Sequence, residues 1–496
     1  MNRLCLLTLP ISFLLYSQTF AQNFTEVSAT PFTGVARSAI AFADVDGDND
    51  LDVLITGITL VQQGTPGDRI SKLYLNDGAG SYTEVSGAPF VGVDDGSISF
   101  ADVDGDNDQD VLITGNSDLG LSAKLYTNDG LGNFSEVIGA PFVGVDGSSI
   151  AFADVDGDND PDVLITGNEG SSPAYVASSR LYINDGSGSF TEMMNTSFDG
   201  VRDASIAFAD VDGDNDQDVL VTGNTDLNGL ISKLYTNDGA GGFSEVTGTP
   251  FTGVAFGAIA FADVDGDNDQ DVLISGNEGV AGLSKLYTND GSGHFTEVMG
   301  TSFPGLQGSA VAFTDVDDDN DQDVLITGGM GLFSVEYTGL YTNDGSGNFT
   351  EVTSKPISDV GSGSISFTDV DGDTDMDVLV TGQAPSGYIA KLYTNDIGAL
   401  SLSEVLFSDP VANLNITPYP NPTISDNLNI RFNSTKSKRI NIQVYDFKGR
   451  MVRQQQEFAG TGEQTFSVDI TSLPSGNYLI QLDDGSNSGA AKFMIQ

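Results

Sequence analysis

The chain has 496 residues and a formal charge of −52, length enough for two or three domains and a sizeable core. So few cations exclude nucleic acid, whose binding needs Lys and Arg to displace phosphate counterions, and disfavour anionic membrane surfaces. Disorder is excluded as well, because 39% of residues are hydrophobic and fall in alternating, strand-like runs.

The chain opens on "MNRLCLLTLPISFLLYSQTFAQ", with one early cation, an apolar stretch from Leu4 to Tyr16 and a small residue at Ala21. This reads as a secretory signal over residues 1–21, cleaved after Ala21. Its apolar run is too short to span a bilayer, and no other segment approaches the ~20 apolar residues of a transmembrane helix. Cys5 lies inside the signal, so the mature chain carries no cysteine and must be stabilised without disulfides.

From "NFTEV" (Asn23 to Val27) onward one unit repeats seven times, its leading aspartates 52 to 58 residues apart. Each unit runs through a "PFxGV"-like loop, a strand such as "SISFAD", an aspartate loop and a strand "DVLITG". A variable segment, "KLYTND", a turn "NDGxG" and a strand "FTEV" follow. The strands flanking the aspartate loop are apolar and β-branched, as strands buried on both faces should be. The Asn-Asp-Gly turn tolerates positive φ. Closed as a five-residue loop, it would set Tyr74 opposite Tyr82 and Lys72 opposite Glu84.

Four short strands per unit predict an all-β fold, a seven-bladed β-propeller over residues 22–407. The extra N-terminal strand is placed to pair with the last blade and close the ring. The seventh unit ends on "LSEVLF" (Leu402 to Phe407).

Within the first loop Asp44, Asp46, Asp48, Asp50 and Asp52 stand at every second position. The counterparts are Asp102, Asp104, Asp106, Asp108 and Asp110, then Asp154, Asp156, Asp158, Asp160 and Asp162. Asp210, Asp212, Asp214, Asp216 and Asp218 form the fourth set, and Asp263, Asp265, Asp267, Asp269 and Asp271 the fifth. Asp315, Asp317, Asp319, Asp321 and Asp323 form the sixth; Asp369, Asp371, Asp373, Asp375 and Asp377 the seventh. Glu never replaces Asp at these positions, although the two are equivalent as surface charge.

Calcium takes six to eight oxygens at about 2.3–2.6 Å, and alternate residues of a tight loop can supply them. Side chains at loop positions one, three, five and nine converge on the ion; the seventh, Asp50 in the first loop, gives its backbone carbonyl. Up to seven calcium ions are expected. Magnesium favours rigid octahedral geometry with retained waters, and zinc wants Cys or His, of which the mature chain offers only His294. Asn49 marks a sharp turn suited to a left-handed residue. Asp318 replaces the usual Gly in the sixth loop, and Thr374 replaces Asn in the seventh, which should be the weakest site.

"FADVDGDND" with "DVLITG" and "KLYTNDGxGxFTEV" resembles the FG-GAP/VCBS repeat, the blade unit of the integrin alpha-chain propeller and of many secreted bacterial proteins. The resemblance implies a calcium loop between the first and second strands of each blade, with ligands at positions one, three, five and nine. The family often has Gly at the sixth position, where this chain has Asn or Thr.

Residues 22–415 hold 64 acidic against 10 basic residues, whereas 416–496 hold 7 against 8. After a linker at 408–415, "ITPYPNP" opens a separate near-neutral module of six or seven short strands, a small Ig-like β-sandwich. "YPNP", "VYDFKGRMV", "LPSGNYLIQL" and "KFMIQ" resemble the type A sorting domain of the type IX secretion system. That resemblance implies contact with the type IX machinery and a protein secreted or attached to the outer-membrane surface.

For function, the expectation is a non-catalytic, calcium-binding adhesion or recognition module whose partner is an extracellular protein or glycan. A polysaccharide-acting hydrolase or lyase, or a passive structural protein, are the alternatives. Catalysis is disfavoured because Cys is absent after the expected signal and His294 sits alone in a turn that other units fill with Ser, Gly or Asn. Recognition is expected on the variable second-to-third-strand segments, opposite the aspartate loops, with Tyr175, Phe333 and Tyr337 as candidate contacts.

Overall fold

A computed structural model describes residues 24–62, 65–170, 174–331, 335–353 and 355–395, and most of 416–495. The expected signal, the linker, the "LSEVLF" segment and Phe333 lie outside the described residues. All elements described are β-strands, and the chain divides into two compact units, one of them Asn23–Asn395.

The third repeat shows the pattern: Asp146–Ala153, Asp162–Asn168, Ala177–Asn184 and Phe190–Glu192 form one antiparallel sheet in chain order. Second strands are buried along their length because they have neighbours on both faces. In Asp52–Gln62, Leu54 packs with Val111 and Ile113 of the second repeat. Val53 and Ile55 pack with Val370, Leu379 and Leu392 of the seventh. The apolar core therefore lies between successive sheets, and alternate residues of one strand serve two interfaces.

Closure takes the expected form. Phe24–Glu26 pairs antiparallel with Gly387–Asn395, Phe24 opposite Asn395 and Glu26 opposite Tyr393. The N-terminal strand thus fills, in the last sheet, the outer place that each other repeat fills with its own fourth strand.

The outer hairpin departs from the expected register: Tyr74 faces Glu84, and Asn76 faces Tyr82. The reason lies in the turn. Asp77 accepts hydrogen bonds from the amides of Ala79 and Ser81, so the turn begins at Asp77 and Asn76 stays in the ladder. Lys72 still reaches Glu84, at 2.9 Å, diagonally. The two tyrosines meet through a third ring instead: Phe32 of the "PFTGV" loop lies 5.0 Å from Tyr74, edge-on, and 5.1 Å from Tyr82.

At or just before the start of each first strand stands one left-handed residue. These are Arg37, Asp95, Gly147, Asp203, Phe256, Gly308 and Ser362, with φ between 49° and 54°. Their backbones bond around the ring: Arg37 N donates to Ser362 O at 2.7 Å, Asp95 N to Arg37 O, and Gly147 N to Asp95 O.

The C-terminal unit has two antiparallel sheets. Ile416–Tyr419, Asn427–Ser434 and Gly462–Asp469 form one; Met451–Ala459, Lys438–Asp446, Gly476–Asp483 and Ser488–Ile495 form the other. Leu428, Ile430 and Phe432 from the first share a core with Ile440, Ile442, Val444, Ile480 and Leu482 from the second.

Candidate metal centres

Each aspartate loop joins the first strand to the second, and its own carboxylates fold it. Asp44 accepts from the amides of Gly47 at 2.8 Å and Asn49 at 3.0 Å, and Asp48 accepts from Asp50 N at 3.0 Å. Asn49 and its five Asn counterparts are left-handed, with φ of 69–72°, and Thr374 takes φ 77° in the seventh loop. Thr374 and Asp318 (φ 62°) hold this conformation against the cost of a side chain.

Three of the four expected ligand side chains meet in each cluster, the ninth position standing apart in the first loop and the fifth in the next four. Carboxylate oxygens of Asp44, Asp46 and Asp48 lie within 4.8 Å of one another, as do those of Asp102, Asp104 and Asp110 and of the matching triads in later loops. The seventh-position side chain is not in these clusters. Asp50 turns onto the hairpin turn, where a Cβ on Gly78 would fall 2.4 Å from its carboxylate. Gly130, Gly186, Gly239, Gly291 and Gly345 meet Asp108, Asp160, Asp216, Asp269 and Asp321 in the same way. That Gly is required twice over, for its positive φ and for the room it leaves.

A test of fit comes from the third-position aspartates. One oxygen of Asp46, and likewise of Asp104, Asp156, Asp212, Asp265 and Asp317, is buried and has no hydrogen-bond partner. Burial, followed by the charge of Asp48, pushes the Asp46 carboxyl above its usual range. A buried carboxylate oxygen without a donor is costly, and a hard divalent cation is the partner that an all-oxygen donor set accepts. The residues fit calcium.

Asp52 does two jobs. It is 1% exposed, and its oxygens accept from Val45 N at 3.1 Å and Asn76 N at 2.8 Å. Burial raises its pKa to about 6 against these two bonds, and its counterparts Asp323 and Asp377 reach about 7.

The Asn of the outer turn then carries each loop to its neighbour. Asn76 donates its side-chain amide to Val370 O of the seventh loop at 2.9 Å, and Asn128 donates to Val45 O of the first at 2.8 Å. Asn184, Asn237, Asn289, Asn343 and Asn395 bond the preceding loop alike. In every unit the ninth-position Asp binds the loop Val amide and the Asn amide, so one hydrogen-bonded circuit passes through all seven loops. Reading the sequence as turn chemistry missed this role; the signal was an Asn that never varied across seven turns.

Of the expected recognition residues, Tyr175 is 50% exposed, and Arg202 lies over its ring at 5.3 Å. Tyr337 is committed inward, its hydroxyl bonded to Tyr341 at 2.7 Å and Glu351 at 2.9 Å. It fills space left by Gly339, where other units place the Lys or Arg that pairs with this Glu. His294 is 81% exposed in its turn, beside Ser292.

Comparison with known families adds the following. The FG-GAP-like repeat description matches residues 102–165, 167–221, 264–326 and 332–380, and the secretion system C-terminal sorting domain matches 417–496. The chain carries FG-GAP-like repeats and a type IX sorting tail. The tail marks a protein secreted or attached to the outer-membrane surface and implies interaction with the type IX machinery. Among described residues, no helix is long and apolar enough to cross a membrane. No curated protein matches the chain. Solved structures similar to it include a variant of Aleuria aurantia lectin in complex with alpha-methyl-L-fucoside, at 10% identity and TM-score 0.37, covering 65% of this chain and 96% of that one. AofleA from Arthrobotrys oligospora is similar at 12% identity and TM-score 0.36, covering 67% and 90%. Likenesses this distant say nothing of the ligand.

Proposed function

We propose that this protein is a calcium-stiffened, seven-bladed propeller followed by an Ig-like sorting sandwich, serving as a non-catalytic recognition module outside the cell. The observation that carries the reading is the set of orphaned, buried carboxylate oxygens in the repeated loops, joined by the Asn circuit. In the first loop Asp44, Asp46, Asp48 and Asp52 would hold the ion by side chains and Asp50 by its carbonyl, and so on around the ring. Calcium, when bound, supplies positive charge that offsets carboxylate repulsion. The chain's own residues fold the loop, exclude water from the third-position oxygen and link each site to the next.

Sevenfold recurrence of the five loop aspartates supports a structural role for the metal, since an active site is unique to one place. Recognition then falls to the end of the ring where the repeats differ. Calcium titration by isothermal calorimetry, with seven sites expected and none found after mutation of all third-position aspartates, tests the assignment.

A further inference from the structure

The end of the ring opposite the metal loops carries a cavity of about 430 Å³, within the size range of small-molecule sites. The seven left-handed residues at or just before the starts of the first strands line much of it. A left-handed non-Gly residue costs about 1–3 kcal/mol. Gly147 and Gly308 show that the fold accepts glycine there, yet the other five positions carry side chains, among them a phenyl ring. Phe256 has φ 51° and is 54% exposed. Strain of this kind, gathered at one mouth and differing from unit to unit, marks a functional surface.

The mouth's charges are of mixed sign and already opposed. Arg37 pairs with Asp94 and, at 2.8 Å, with Asp95. Arg202 pairs with Asp203 at 2.9 Å, and Asp146 accepts from the Asn168 amide at 2.8 Å. An anion would meet three carboxylates, and a cation would meet two guanidinium groups. The Arg202 and Asp203 side chains keep part of their surface exposed beside this pairing, so both can reach a ligand in the mouth. Polar groups of both signs, charge-balanced among themselves and beside the exposed rings of Phe256 and Tyr175, suit an uncharged molecule with many hydroxyls and one apolar C–H face.

We infer that this axial mouth is a binding site for a neutral saccharide, stacked on Phe256 and hydrogen-bonded by Arg202, Asp203 and Asp95. The inference rests on the reading of the protein as a recognition module and gives that reading a place and a ligand class.

The full chain in calcium is applied to an array of neutral, acidic and amino saccharides, and the best binder is titrated by calorimetry both free and as an immobilised glycan. Neutral saccharides are expected to bind. Phe256→Gly should lower affinity at least about tenfold while leaving the melting temperature equal or higher, because it removes strain. Asp203→Asn should weaken binding by a similar factor. Leu131→Ala, on an exposed turn at the metal-loop end, should leave affinity unchanged. Preference for charged saccharides, no binding by any neutral one, or full affinity in Phe256→Gly would overturn the site. Equal affinity of free and immobilised forms assigns the mouth to the sugar itself; binding only when immobilised also overturns the site. Calcium-dependent melting kept alongside any of these failures leaves the metal assignment standing.

Discussion

At Asp46 and its counterparts the chain buries a carboxylate oxygen beside two other acids and gives it no donor. This arrangement is unfavourable alone and favourable around a divalent ion, so one substitution should change sign with the metal. Asp46→Asn is expected to raise the melting temperature in chelator, by removing a like charge, and to lower it in calcium. Calorimetry should then count six ions instead of seven; seven would show that Asp46 is no ligand. A second residue-scale prediction concerns the opposite mouth. The setting of Asp95, chiefly its partial burial, opposed by Arg37 and reinforced by Asp94 and Asp146, raises its pKa to about 6. An acid whose folded pKa is raised favours the folded state when protonated. That contribution is present below the unfolded value near 4 and lost as pH rises through about 6. Asp95→Asn, which tolerates the left-handed backbone, should flatten the fall of melting temperature between pH 4 and 7. An unaltered slope would contradict it.

Among the elements, the strands around the aspartate loop were legible because β-branched runs such as "DVLITG" admit little else, and the closing strand was legible as an eighth copy of "FTEV". Register was not. Asn76 and Asp77 are both good turn formers, and only the demand of Asp52 for the Asn76 amide decides which one turns. The Phe32 wedge between Tyr74 and Tyr82, and Tyr337 standing in for a cation above Gly339, escaped notice because each depends on a partner distant in sequence or on a gap that composition does not reveal. The mouth was hidden for the opposite reason: Arg37, Asp95, Phe256 and Ser362 share a backbone conformation and no chemistry. Two predictions belong here. Asn128→Ala should break one link between loops and destabilise the repeat unit by about 0.5–1.5 kcal/mol, since Val45 O loses this donor and keeps the Gly132 amide. Tyr337→Phe should cost about 1 kcal/mol through the lost bonds to Tyr341 and Glu351. Denaturant unfolding of each variant measures both, and no change in midpoint would contradict them.

Across the molecule, ring closure, repulsion and metal form one balance. Each sheet packs on two neighbours, the N-terminal strand closes the last sheet, and the Asn circuit passes through every loop. Weakness at one loop therefore reaches the next through named bonds, and metal-binding energy at the loops would become folding energy for the ring. The type IX tail, with its own core, delivers this body beyond the outer membrane, where disulfide-free stability must come from another source. The most direct test is the melting temperature of the full chain in millimolar calcium and after exhaustive chelation. At a hundredfold excess over the dissociation constant each site adds about 2.7 kcal/mol, so occupied loops should raise melting by at least about 10 °C. Identical melting in both solutions would contradict the account.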